Sequence, residues 1–383
     1  MRVLLTEIGN NSSGDEAICI AAARRLLAMG TTVTFCYRTN LEDSLRSAGL
    51  TVRQVHMPIQ ERFDSICSVD KLVSAFAERR PELYRTLRSV LLDHDVVAVA
   101  PGGKFTEGLN NPVALLTSAV SLSLGVPVII LHQSVGPIDN PDHRTLLSEV
   151  FSRSLVCLVR DDRSFTFLLE LGIPSKKLAR CRDVAIGEDY PLTDSTDYDI
   201  GINIRYGFTG SIKLEALSRI IRHYNIFRPG GRILVYSTTW NIPSEIINSL
   251  SSLPCDIEAI MPSYPDYLRK VGRCAINVSD SWHGCIFSMM AGRPVICCQT
   301  DLKTWKLQGA HAPSQEPLEV LPGLISKHDA DVVLDRVIAA ESNPFHVMEH
   351  QRRLIQYGKE LCEEGWAVVN KTLRGINPHS YSL

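Results

Sequence analysis

The sequence predicts an α/β chain built from two doubly wound, Rossmann-like domains facing a cleft, and three of its features carry that prediction. Short runs rich in Val, Ile and Leu, such as Asp95 to Ala100 and Val128 to His132, alternate with longer stretches of helical spacing. The joints at which such a run gives way to a helix are repeatedly glycine-rich or polar, as expected where strand ends border ligand space. The alternation is interrupted by the polar segment Pro191 to Tyr198 and restarts at Asp199. The expected organisation is therefore an N-terminal domain over residues 1–192, a second α/β domain over 193–343, and a helical segment over 344–383 that packs back on the first domain.

Taken in order, residues 2 to 8 read as a strand, and Gly9 to Ala17 is a loop of small residues opening a helix that runs to about Met29. Its Asp15 and Glu16 are of the type that favours the positive end of a helix dipole. Strands follow at Thr31 to Tyr37 and Leu50 to His56, with a helix around Leu41 to Ala48 between them. A longer helical stretch is expected over about Val69 to Leu92, then the strand Asp95 to Ala100, followed by Pro101-Gly-Gly-Lys-Phe105, whose glycines fit either a strand end bordering ligand space or a plain tight turn. The uncharged run Val113 to Leu131 is divided by Gly125 and Pro127 into a buried helix and a strand, so it is not expected to span a membrane. Leu155 to Val159 is the next strand, followed by Arg160-Asp161 and a helix over about Ser164 to Leu171. In the second domain, helices are expected near Leu214 to Ile226 and Pro243 to Leu250, with strands near Arg232 to Tyr236 and Asp256 to Ile260.

The stretch Ala275 to Cys298 reads as a strand, a polar turn, a short apolar helix and a second strand. In such a turn the backbone N–H groups from about Gly284 onward would face the crevice, and the helix dipole would favour an anion beside His283. The same residues also fit a plainer arrangement, in which Asp280 or Ser281 caps the helix and His283 is a satisfied turn histidine.

Bulk properties exclude several classes. The 383 residues are 45% hydrophobic and 21% charged, as in an ordinary globular protein, and the net charge of −2 gives no general attraction to nucleic acid. The 11 cysteines include no Cys-x-x-Cys pair, and several sit in apolar runs, which points to buried thiols in a reducing cytoplasm and to neither a disulfide framework nor a metal site. The Met1 to Glu7 start is too short before its acid for a signal peptide.

Seven motifs occur in a fixed order: Asn11-x-x-Gly14-Asp-Glu-Ala-Ile18, Pro101-Gly-Gly103, Gln133-Ser-Val-Gly-Pro137, Val159-Arg-Asp161 with Ser164, Asp183-Val-Ala185, Asp280-Ser-Trp-His-Gly284 and Asp301-Leu-Lys303. This ordered set resembles the polysaccharide pyruvyl transferase family over roughly residues 1 to 310. The resemblance implies a fold similar to GT-B glycosyltransferases and transfer of pyruvate from phosphoenolpyruvate to saccharide hydroxyls, forming a ketal. Phosphoenolpyruvate is then a co-substrate, and no cofactor or metal is expected. Two departures stand out. Ser281 occupies the position of a family Arg two residues before the His, and Lys104 replaces a third glycine.

Chemistry assigns roles on that basis. A donor with a carboxylate and a phosphate requires fixed cations, and the enol carbon must receive a proton, which an imidazolium can supply near neutral pH. His283 is the expected acid and Asp15 the candidate base. Arg205, Lys303, Ser281, Gly284 and Arg160 are placed on the donor side, with Arg160 equally suited to an ion pair with Asp161 or Asp183. Asn11, Gly14, Gly103, Lys104 and Gln133 are placed on the acceptor side. The implied partner is a saccharide, with lipid- and nucleotide-linked forms both open, as are peripheral membrane contact and homo-oligomerisation. Two other readings stay open: a GT-B glycosyltransferase with a nucleotide-sugar donor, and a non-catalytic binding protein derived from the family.

Overall fold

A computed structural model describes residues 1–8, 12–37, 45, 46, 48–59, 63, 66–106, 111–188, 190, 195–205, 212–237, 241–260, 262–299, 320–322 and 329–376. The chain divides into two compact units, residues 1–10, 17–187 and 359–383 in the first and residues 11–16 and 188–358 in the second.

The first unit carries a parallel sheet of β1 (Arg2–Ile8), β2 (Thr32–Tyr37), β3 (Arg53–His56), β4 (Val96–Val99), β5 (Gly102–Phe105), β6 (Val128–Val135), β7 (Val156–Val159) and β8 (Leu178–Arg180). Its order is β3-β2-β1-β4-β6-β7-β8, with β5 also paired to β6. Its helices are α1 (Ser13–Ala28, whose first residues belong to the second unit), α2 (Val69–Arg79), α3 (Pro81–Leu92), α4 (Asn111–Ser123), α5 (Pro141–Arg153) and α6 (Asp162–Glu170). Every residue of β4 and β6 is buried, as expected for strands covered on both faces.

The helical stretch expected over about Val69 to Leu92 is two helices. Pro81 has no N–H to donate and disfavours helical geometry at Arg80, which adopts φ −138° and ψ 63° and ends α2. Of the segment Pro101 to Phe105, open in sequence to either a ligand-facing strand end or a plain turn, Gly102 to Phe105 is the short strand β5. Helix α5 was not anticipated, although Asn140 caps it with its side chain and Pro141 opens it, a pairing that marks a helix start in sequence. Of the helix expected around Leu41 to Ala48, residues 41–44 and 47 lie outside the described residues.

The second unit has a parallel sheet in the order β11-β10-β9-β12-β13-β14, formed by β9 (Tyr198–Asn203), β10 (Ile233–Tyr236), β11 (Asp256–Glu258), β12 (Cys274–Ser279), β13 (Val295–Gln299) and β14 (Val320–Pro322). Ile200 pairs with Ile233 on one side and Ile276 on the other. The helices are α7 (Leu214–Phe227), α8 (Ser244–Leu250), α9 (Tyr264–Gly272), α10 (Trp282–Met290), α11 (Ala330–Ser342) and α12 (Pro344–Arg374). Helices α9 and α11 were not anticipated from the sequence. Helix α12 gives residues 344–358 to this unit and the remainder to the first.

In both sheets the order reverses at a switch point, between β1 and β4 in the first and between β9 and β12 in the second. Neighbouring loops there leave in opposite directions, which opens a crevice at the carboxyl ends of the strands. No helix among the described residues is long and apolar enough to cross a membrane.

Candidate functional site

At the switch point of the second sheet, β9 ends in Asn203 and β12 in Ser279, both buried polar residues. Asn203 is fully buried, and its Nδ2 donates to Ser279 Oγ (2.9 Å), Ser281 Oγ (3.0 Å) and Tyr267 OH (3.2 Å). An amide has two hydrogens for these three acceptors, so the network is shared. Ser281 is the N-cap of α10, and its Oγ accepts from Gly284 N at 2.9 Å. A Cβ on Gly284 would lie 2.2 Å from both Asn203 Nδ2 and Ser279 Oγ, so this position requires glycine for close approach. The Asp280 carboxylate, also buried, accepts from Arg205 N at 2.7 Å and Ile212 N at 3.4 Å.

These contacts correct one expectation. The N–H groups from Gly284 onward are not offered to a ligand, because Gly284 donates to the Ser281 cap and Cys285 N to the Ser281 carbonyl. Ser281 is a buried cap rather than a side chain that reaches a donor.

His283 lies in the first turn of α10 and is half-buried. Its ring stacks on Phe287 one turn later, with centroids 5.8 Å apart and planes 25° apart. Phe287 is held in turn by Tyr264 at 5.6 Å and Tyr267 at 5.3 Å. Burial pushes the Tyr267 and Tyr236 phenols well above their ordinary range, so both stay neutral around the turn.

The opposite wall of the imidazole comes from the start of α1. A Cβ on Gly14 would lie 2.0 Å from His283 Nδ1 and 2.3 Å from Cγ, so the Gly14 backbone rests directly on the ring. Three contacts seat this segment. Ser12 Oγ accepts from Asp15 N at 3.0 Å, Ser13 Oγ donates to Pro262 O at 2.7 Å, and Glu16 Oε2 accepts from Tyr264 N at 3.1 Å. The structure thus brings the Gly14-Asp-Glu and Trp282-His-Gly motifs together. Asp15 is half-buried in the first turn of α1. Arg205 follows the end of β9, half-buried, and its Nε is buried without a hydrogen-bond partner among the described residues. Asn11 and Lys303 lie outside the described residues.

The sequence reading missed Asn203, Glu16 and Phe287. A polar residue ending the strand Ile200-Gly-Ile-Asn203 is a visible signal for the first. Phe287 is signalled by its spacing, four residues after His283 on one helix, whereas the contact of Glu16 with Tyr264 N depends on long-range packing.

In the first unit two of the expected site residues, Arg160 and Gln133, form scaffold. Arg160 Nη1 pairs with Asp183 Oδ2 at 2.5 Å with both side chains buried, and Arg160 Nε donates to Ser134 Oγ at 3.1 Å. Ser134 Oγ donates to Asp161 Oδ2 (2.8 Å), while Asp161 Oδ1 caps α6 through Ser164 N (2.7 Å). Arg160 is therefore an internal counter-ion and not a donor-binding cation. Gln133 is likewise fully buried, and its Nε2 donates to the carbonyls of Ala100 (2.5 Å) and Leu131 (3.2 Å), tying β4 to β6, so it is not an exposed acceptor contact. Gly103 and Lys104 lie on β5, where the Lys104 stem runs over Gly102.

Comparison with solved structures gives matches along nearly the whole chain. The Neisseria meningitidis UDP-GlcNAc 2-epimerase bound to UDP-GlcNAc is 15% identical, with 98% of this chain and 100% of that one covered at a TM-score of 0.62. Anabaena HepE in complex with UDP and glucose is 10% identical, with coverage of 98% and 99% and a TM-score of 0.63. The Methanocaldococcus jannaschii UDP-GlcNAc 2-epimerase is 12% identical, with coverage of 98% and 100% and a TM-score of 0.62. At these identities the likeness is one of fold, the GT-B type with two Rossmann-like sheets. No curated protein matches the chain. The polysaccharide pyruvyl transferase model, however, matches residues 13–301, a span that begins beside Gly14 and contains the whole His283 turn, and the chain belongs to that family.

Proposed function

We propose that this protein transfers pyruvate from phosphoenolpyruvate to two hydroxyls of a saccharide, forming a cyclic ketal and releasing phosphate. The observation that carries this reading is His283, a half-buried imidazole clamped between Gly14 and Phe287 in the turn shared with the family. Protonation of the donor's methylene carbon places positive charge on the adjacent carbon, which one hydroxyl attacks; the second hydroxyl then displaces phosphate to close the ring, and its proton leaves on the departing phosphate. His283 supplies the proton to the methylene carbon, and Asp15 takes one from the first attacking hydroxyl. Arg205 and Lys303 hold the donor's carboxylate and phosphate, a role that Ser281 and Gly284, engaged in capping, do not share. Acceptor binding is assigned to Asn11, Gly14, Gly103 and Lys104, as the family resemblance implies. The buried free thiols, including Cys285, Cys297 and Cys298, fit a cytoplasmic setting.

The test is to incubate the protein with phosphoenolpyruvate and a panel of free, lipid-linked and nucleotide-linked saccharides. Phosphate release together with a pyruvyl mass gain on one acceptor supports the reading. No turnover with any acceptor, together with no calorimetric binding of phosphoenolpyruvate, overturns it. A second reading, a nucleotide-sugar donor, is favoured by the UDP-GlcNAc and UDP held by the structural neighbours. Calorimetry with UDP-GlcNAc and UDP-glucose separates the two.

A further inference from the structure

The Gln133-Ser-Val-Gly-Pro137 motif finds no catalytic use in the reading above, yet its last residues line a cavity of about 300 Å³ in the first unit. The cavity lies among the segment after β6, the start of α5 and one face of α6. Its size is at the lower end of small-molecule sites and is enough for one or two sugar rings. Gly136 adopts φ +74°, and a Cβ there would come within 2.6 Å of the Phe167 ring, so the bare backbone packs on that aromatic and fixes the wall. Arg144, from the first turns of α5, stands 5.5 Å from the Phe167 centroid. Around this wall stand Arg163 near the start of α6, Glu170 at its end, and Asp139.

We propose that this cavity binds a neutral mono- or disaccharide unit. The ligand class rests on the saccharide acceptor proposed above, while the site itself rests on its lining. Two guanidinium groups and two carboxylates give no net formal charge, so the cavity offers no excess field to an anion or a cation. The same four groups supply clustered donors and acceptors, the arrangement that neighbouring sugar hydroxyls satisfy in pairs. Phe167 adds an aromatic surface whose electron-rich face or positive edge can meet the C–H and O–H groups of a pyranose ring. Saccharide binding to this surface does not require the donor.

Saturation-transfer NMR on the full-length protein tests this without phosphoenolpyruvate, using glucose, galactose, mannose, N-acetylglucosamine and lactose as probes. At least one should receive saturation at its ring protons, and the effect should fall at least about fivefold in Glu170→Ala and in Arg163→Ala, both on exposed helix positions. Unchanged thermal midpoints for the two variants show that the fold is kept. No transfer to any probe, equal transfer in both variants, or displacement of the sugar by inorganic phosphate would each overturn the proposal. Because no donor is present, a failure here leaves pyruvyl transfer to its own assay, and turnover in that assay does not rescue this site.

Discussion

The ends of β6, β7 and β8 in the first unit and the ends of β9 and β12 in the second present the same kind of sequence, polar residues at the ends of buried parallel strands, and on the proposed reading they come to opposite uses. In the first unit Arg160 and Asp183, 5% and 0% exposed at their side chains, cancel each other's charge, and Ser134, Asp161 and Ser164 complete a closed network. In the second unit a comparable network of Asn203, Ser279, Ser281 and Asp280 is also buried, but it presents the half-buried imidazole of His283. A strand-end position therefore does not separate scaffold from chemistry. On the proposed reading the difference is that the first network neutralises its own buried charges, whereas the second carries the half-buried His283 at its edge.

This contrast is open to experiment, with the largest effect expected at His283. On the proposed chemistry, His283→Gln should lower turnover by about 10²–10⁴-fold with a smaller change in donor affinity, read from phosphate-release kinetics and calorimetry. An equal loss in Arg160→Met once its folded fraction is accounted for would break the comparison. Arg160→Met should instead act on stability, costing about 3–5 kcal/mol in chemical denaturation because the buried Asp183 carboxylate loses its guanidinium counter-charge.

A third effect belongs to the first unit's interior. Burial pushes the His132 imidazole down to about 4 from 6.5, outweighing the hydrogen bond to the Arg182 carbonyl and the nearby Asp183. The unfolded chain takes up its proton near pH 6.5 and the folded one only near pH 4, so this stability is intact above pH 6.5 and is lost as pH falls from 6.5 to 4. Between pH 7 and 4.5 the loss should be about 2–3 kcal/mol. Denaturation of His132→Asn, a residue that tolerates the local φ of +42°, should show a pH-dependent loss smaller by that amount.

Smaller changes probe the scaffold of the turn. Gly284→Ala forces a methyl against Asn203 and Ser279 and should cost about 1–3 kcal/mol in thermal unfolding. Ser281→Ala removes the α10 cap and should cost about 1 kcal/mol by the same measurement. A stability loss without any change in the turnover of folded protein would show that the cap supports the helix without aiming His283.

The sequence by itself determined the alternation of buried runs and helices, because a parallel strand covered on both faces must be apolar throughout, as β4 and β6 are. It also marked the turn that carries His283 and the two possible fates of Arg160. Helices α9 and α11 escaped it, since short amphipathic patterns compete with loops when no packing partner is known. The split at Pro81 was legible in principle, because proline's missing N–H is a local property. Tertiary structure alone decided that Arg160 meets Asp183, that Gln133 is spent on the Ala100 carbonyl, and that Gly14 lies on the His283 ring. Each is a contact between segments distant in the chain, and burial and partner choice there follow from how strands and helices pack, which no local pattern encodes.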